Sequence, residues 1–231
     1  GDGHKEIVFT GGNKIYIYWN RAGVFRPEDL TILETRGNST MFCQGAVRVD
    51  ISDVDGDGRN ELLIATREGI EIRTLDNLNQ AATVLPLTFC SWVTAADLDG
   101  DGRPELVASK YQNNLTYETE SAIFWNGPDG FSKDRITWLP TGGTIGCTTG
   151  DLDGDGHPEV IFNSTMGGPS QTDPDFPLYI YLGNETSEYT PSRRLELPTG
   201  GGTNTYALAD LDQDGFADLV IIAPEGLRIF H

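Results

Sequence analysis

Histidine is scarce. The three present, His4, His157 and His231, give no material for a Ser-His-Asp triad or a histidine metal centre. Cysteine is as thin. Cys43, Cys90 and Cys147 form no CxxC and no Cys/His spacing, so no zinc site is encoded. Three small buried residues are expected, and a disulfide between two of them stays open. Basic residues are outnumbered 16 to 35 by acids, and the net charge of −19 repels nucleic acid. The longest apolar runs, ELLIA at 61–65 and LVIIA at 219–223, are far shorter than the roughly 18 residues of a membrane span. No segment has the period of an amphipathic helix. No acid–base pair faces an evident substrate site, so the chain is expected to be non-catalytic.

Aspartate at alternate positions is abundant. DLDGDGHPEV at 151–160 places three Asp two residues apart, adds a Gly, and runs into a β-branched stretch. Three like charges so close need a counter-charge, which a hard divalent cation supplies. An EF-hand loop opens the same way, but here position 12 is Phe162 and the following text is a strand. The loop recurs as DVDGDGRNE at 53–61, DLDGDGRPE at 97–105 and DLDQDGFAD at 210–218, and GDGHKE at the start reads as the back half of a fifth. The third acids, Asp2, Asp57, Asp101, Asp155 and Asp214, are 44 to 59 residues apart. Such a period signals a repeat architecture.

Text between the loops repeats too. IYIYWNRAGVF (15–25), AIFWNGPDGF (122–131) and LYIYLGNETSEY (178–189) each read as a strand ending in a turn. ITWLPTGG (136–143) and LELPTGGG (195–202) read as a further strand and turn. Each repeat is therefore four strands: an inner strand entering the acidic loop, a second leaving it, a third after a turn, and an outer one. Four-stranded units of this length predict an all-β protein built from β-propeller blades. Blades with all four strands are expected at 47–90, 91–144 and 145–203, flanked by partial ones at 1–46 and 204–231, in one continuous array over 1–231.

The D-x-D-x-D-G-x-x-[DE]-[LIV] loop after a short inner strand resembles the FG-GAP or VCBS repeat of integrin α propellers and of many secreted proteins. WNGPDGFS before LPTGG is similar to the bacterial type. The resemblance spans essentially the whole chain. It implies a propeller, one Ca2+ per loop, and an extracellular or cell-surface location.

The ligands expected from the loop register are Asp53, Asp55, Asp57 and Glu61; Asp97, Asp99, Asp101 and Glu105; Asp151, Asp153, Asp155 and Glu159; and Asp210, Asp212, Asp214 and Asp218. Position 7 would give only its carbonyl, so Arg59, Arg103, His157 and Phe216 are all tolerated there. Asp2 and Glu6 form a fifth, partial site that needs further ligands from upstream. These loop positions hold eighteen of the 35 acids, and the other 17 nearly balance the 16 basic residues. The negative excess thus resides in the loops, and stability should depend on the metal.

Sequons fall at Asn38, Asn114, Asn163 and Asn184, all in expected connections between strands, where a glycan is tolerated. Of the tryptophans, Trp19 and Trp125 occupy equivalent repeat positions, which favours blade packing, and Trp92 reads as core; stacking on sugars is the alternative use of an indole. The chain opens inside a loop and closes after a third strand, and unpaired edges invite pairing with other proteins or copies of itself. Two functions follow. One is a calcium-rigidified structural, adhesion or self-assembling module, even filament-forming. The other is a lectin-like propeller that binds glycans, with an accessory domain of a polysaccharide-degrading enzyme as a minor variant. Neither involves nucleic acid or membrane insertion.

Overall fold

The computed structural model describes residues 5–35, 39–40, 43–44, 48–166, 176–199, 205–223 and 226–231. Asp2 and Asn38 lie outside them. The chain is all-β, with 53% strand and 3% helix, and the helical residues form two short 3-10 turns, Leu75–Asn77 and Pro191–Arg193.

Three sheets have four antiparallel strands each, in sequence order. The second sheet is β6 (Arg48–Ser52), β7 (Glu61–Ala65), β8 (Ile70–Thr74) and β9 (Thr83–Leu85). The third is β10 (Cys90–Ala96), β11 (Glu105–Lys110), β12 (Thr119–Phe124) and β13 (Ile136–Thr141). The fourth is β14 (Gly143–Gly150), β15 (Glu159–Met166), β16 (Leu178–Tyr181) and β17 (Arg194–Leu197). A first sheet of three strands precedes them: β1 (Ile7–Gly11), β2 (Lys14–Arg21) and β3 (Val24–Glu34). A fifth, also of three, follows: β18 (Thr205–Ala209), β19 (Asp218–Ala223) and β20 (Gly226–Phe230). Between the first and second sheets lies a small hairpin, β4 (Ser39–Thr40) with β5 (Cys43–Gln44), which the sequence pattern did not suggest. Cys43 belongs to that hairpin.

The strand leaving each of the first three acidic loops continues the position-9 acid with an apolar run because both of its faces are covered. Side chains alternate across a strand. In ELLIA, Leu62 and Ile64 pack with Ile15 and Ile17 of the first sheet. Leu63 and Ala65 pack the other way, with Leu106, Ala108, Ala122 and Phe124 of the third. Val107, Ile123 and Leu139 then meet Val160, Phe162 and Tyr181 of the fourth sheet. Ile161, Leu178 and Ile180 meet Leu219 and Ile221 of the fifth. The three middle sheets thus each supply half of two cores, the first and fifth half of one, and the five stack in chain order. Residues on the far faces of the end sheets stay exposed, including Ile7, Phe9 and Ile32 on the first and Ile222, Leu227 and Ile229 on the fifth.

Trp19 and Trp125 show how closely the repeats correspond. The Trp19 indole N–H donates to Thr31 Oγ1 at 2.8 Å, and that of Trp125 to Thr137 Oγ1 at 2.9 Å. Both bonds tie the end of a third-type strand, Trp19 within β2 and Trp125 just after β12, to the neighbouring outer strand. Trp92 is half-buried beside the core between the third and fourth sheets, with the Arg48 guanidinium 5.1 Å from its ring centre. Cys90 and Cys147 are buried thiols that donate to the carbonyls of Trp92 and Val107, each at 3.3 Å. Burial pushes the Cys90 pKa up to about 12 and that of Cys147 well above the usual thiol range.

One sequon reading is corrected. Asn163 is not in a connection: it lies inside β15, 1% exposed, with its backbone in register with Gly146 and Leu178. A glycan there would require that strand to open. Asn114 and Asn184 do lie in connections. Asn114 is exposed with φ 75°. Asn184 closes its own turn, accepting from the N–H of Thr186 at 2.9 Å and of Glu188 at 3.1 Å.

Candidate metal centres

The four acidic loops occupy the same place in their sheets. Each joins an inner strand to the next, and the last residue before the loop pairs with the position-9 acid: Ser52 with Glu61, Ala96 with Glu105, Gly150 with Glu159, Ala209 with Asp218. The position-9 acid therefore opens the buried strand, while the first three acids stay at the mouth of the hairpin.

Backbone amides build each loop around its first Asp. Asp53 accepts from Gly56 N–H at 2.7 Å and Gly58 N–H at 2.8 Å. Asp97 does so from Gly100 and Gly102, at 2.8 and 3.0 Å, and Asp151 from Gly154 and Gly156, at 2.7 and 3.0 Å. In the last loop Asp210 accepts from Asp214 and Gly215, each at 3.1 Å. The turn at position 6 runs through left-handed backbone, with φ of 81°, 84°, 84° and 97° at Gly58, Gly102, Gly156 and Gly215. Nothing lies within 4 Å of where a Cβ would sit at these four, so glycine is there for its backbone freedom and not for space. Position 4 has the same conformation in Gly56, Gly100 and Gly154, but the last loop puts Gln213 there at φ 64°.

The result is a compact set of carboxylates. One oxygen from each of Asp53, Asp55 and Asp57 lies within 4.8 Å of the others. The same holds for Asp97, Asp99 and Asp101; for Asp151, Asp153 and Glu159; and for Asp210, Asp212 and Asp214. Ca2+ sits about 2.3–2.6 Å from its oxygens, so ligands across one ion are up to about 5 Å apart. Oxygen donors without thiolate favour a hard cation. Glu6 is exposed and joins no such group among the described residues.

The position-9 acids are buried, and each spends one oxygen on the loop itself. Val54, Leu98, Leu152 and Leu211 donate their N–H to Glu61, Glu105, Glu159 and Asp218 at 2.7–3.1 Å. The second oxygen differs between sheets. In Glu105 it accepts from Asn126 N–H at 3.4 Å, and in Glu159 from Gly183 N–H at 3.3 Å. Both donors follow a third-type strand. In Asp218 the oxygen is 2.8 Å from His231 Nδ1. In the second sheet the 3-10 turn Leu75–Asn77 replaces the usual turn, and Glu61 Oε1 is buried with no hydrogen-bond partner. Glu61 is 3% exposed and borders a cavity of about 300 Å3 that Asp55 also lines. A bare buried carboxylate oxygen is costly, and a bound cation would satisfy it. The residues present fit Ca2+.

Burial raises the pKa of these acids. Glu105 is pushed up to about 7, first by desolvation, with Asp99 and Asp101 adding repulsion. Glu61 and Glu159 move the same way for the same first reason. Asp218 moves down, because the Leu211 N–H and then His231 stabilise its charge. At position 7 the arginine side chains do more than the sequence suggested. Arg59 folds back onto Asp57 at 2.6 Å and reaches Asp76 at 2.6 Å, and Arg103 reaches Asp101 at 2.5 Å. The hydrogen bond from the Arg59 side chain holds Asp57 below the usual carboxylate range. Phe216 lies against the preceding loop, where a Cβ on Gly154 would be 1.9 Å from its ring, so the last two loops touch.

Stacked four-stranded antiparallel sheets, each entered through the same acidic hairpin, define a β-repeat protein. An FG-GAP-like repeat is matched over residues 53–108 and an FG-GAP repeat over 203–227. No curated protein matches the chain. The chain thus carries FG-GAP-type repeats over these two segments. Such repeats are typical of extracellular proteins, and among the described residues no helix is long and apolar enough to cross a membrane.

Proposed function

We propose that the chain is a calcium-rigidified array of propeller blades serving as a non-catalytic structural or adhesion module outside the cell. The observation that carries this reading is the shared set of four acids in four loops, together with the partnerless Glu61 Oε1. Each ion would be held by the acids at positions 1, 3, 5 and 9 and by the position-7 carbonyl. Its part would be mechanical: it ties the end of an inner strand to the start of the next, where two sheet cores converge. The fourfold negative cluster would otherwise repel itself, and metal binding would be coupled to folding. No step of bond making is assigned to the loops.

Protein contacts, on this reading, use the apolar faces of the end sheets, around Phe9 and around Leu227. Each would accept a further sheet of the same kind, from this protein or from another. The test is light scattering and electron microscopy in calcium and then in excess chelator. A rigid particle that loses order on chelation supports the module. A particle whose size, shape and circular dichroism ignore calcium would contradict it.

A further inference from the structure

The third and fourth sheets leave between them a cleft of about 610 Å3. It lies at the end of β11 remote from the acidic loop. Glu105 opens that strand and Lys110, on the cleft wall, closes it. At about 3.3 Å per residue the cleft is some 17 Å from the carboxylates.

The cleft is held open by a clamp beneath it. Arg194 of β17 lies 4.3 Å from the ring centre of Tyr179 and donates to the Pro140 carbonyl at 3.1 Å. Tyr181 Oη donates to the same carbonyl at 2.5 Å. Arg194 is further fixed by Glu196. The outer strand β13 is thus pinned to the fourth sheet at Pro140. Two residues earlier, Trp138 presents its ring to the cleft and is 44% exposed. The other three tryptophans have structural partners: a threonine hydroxyl for Trp19 and Trp125, an arginine for Trp92. Among the described residues the Trp138 ring has no such hydrogen-bond or cation partner.

The remaining walls set charges of both signs beside Pro140 and Tyr179. Lys110 and Arg194 balance Glu118 and Glu120, so the lining is formally neutral in a chain of net charge −19. An anion would meet the two glutamates, and a cation would meet Lys110 and Arg194. A neutral polyhydroxyl ring suits all of them. Its C–H face stacks on an indole, its hydroxyls donate to carboxylates, and they accept from an ammonium or an amide. The volume is in the usual range for small-molecule sites, about 300–1,000 Å3.

We propose that this cleft binds a neutral saccharide, stacked on Trp138 and held by Glu118, Glu120, Lys110 and Asn113. The site goes beyond the calcium array and needs only that the third and fourth sheets stay packed. The test uses the full chain in calcium, produced without glycosylation so that Asn114 in the neighbouring connection carries no sugar. Lactose, maltose and N,N′-diacetylchitobiose are titrated by tryptophan fluorescence and saturation-transfer NMR, with sialyllactose as the charged control. A saturable change with Kd of order 1 mM for at least one neutral sugar is expected. Trp138→Ala should weaken it about tenfold with an unchanged melting curve, and Trp138→Phe should restore most of it. Glu120→Gln should weaken it as well. No saturable change for any neutral sugar up to about 50 mM, about fifty times that Kd, would overturn the proposal. So would full binding in Trp138→Ala, or tighter binding of sialyllactose than of the neutral sugars.

Discussion

Replacing Glu105 with Gln separates a metal ligand from a mere turn residue, because the two roles predict opposite signs. Glu105 is fully buried, accepts from Leu98 N–H at 2.8 Å, and has Asp99 and Asp101 near enough to raise its pKa. In chelator the charge is a burden, for burial and two like charges both oppose it. Gln keeps an acceptor for Leu98 and removes that burden, losing only the long 3.4 Å bond from Asn126 N–H. The variant should therefore unfold at the same urea concentration as the parent or a higher one when calcium is absent. In calcium the order reverses. A site occupied at a hundred times its Kd contributes about 2.7 kcal/mol, and losing a position-9 ligand forfeits much of that. Urea unfolding followed by far-ultraviolet circular dichroism, at fixed calcium and in chelator, reads both arms. A destabilisation equal in the two conditions would refute the reasoning, because Glu105 would then be a structural acceptor only.

Other consequences are independent of that one. Gln213→Gly should stabilise the chain by about 0.5 kcal/mol in urea unfolding, since left-handed backbone costs a side chain about 1–2 kcal/mol and glycine's unfolded-state entropy returns part of it. The opposite change, Gly58→Ala at φ 81°, should destabilise, and equal effects of the two would contradict the loop geometry. In a Cys43→Ser chain, iodoacetamide at pH 8 should label neither Cys90 nor Cys147 until denaturant is added, because both thiols are buried with raised pKa. Rapid labelling of the folded variant, read by mass spectrometry, would show that the sheet cores open. Ile161→Ala, which empties part of the core between the fourth and fifth sheets, should cost about 2–5 kcal/mol in the same unfolding assay.

Local pattern carried most of the architecture. The acid ladder marked each hairpin, because alternate Asp followed by a β-branched run has few other uses. The unbroken ELLIA run announced a strand covered on both faces, whereas DLVIIA, equally unbroken, packs Leu219 and Ile221 and leaves Ile222 exposed. The shared Trp-to-Thr bond was legible as the equivalence of Trp19 and Trp125. What escaped was set by tertiary partners. NST at 163–165 reads as the start of a loop, yet β15 continues through it, since Asn163 pairs across to Gly146, and Ser164 Oγ lies 3.4 Å from the hydroxyl of Thr144. β3 runs on through Pro27, which an outer strand tolerates because one edge needs no N–H. The fold-back of Arg59 and Arg103 onto their own loops needs side-chain geometry that no spacing rule supplies. The same holds for Glu61 Oε1, stranded by a turn in a different segment, and for the Trp138 cleft, whose walls come from two sheets.

The most direct test of the account is the number of calcium ions per chain. Equilibrium dialysis of the purified protein against calcium at physiological salt, followed by elemental analysis, gives it. Four loops, each gathering three carboxylates, predict four ions for residues 53–218, lost on dialysis against chelator. A chain that retains no calcium, or takes it up with no more affinity than magnesium, would contradict the reading of the loops as calcium sites.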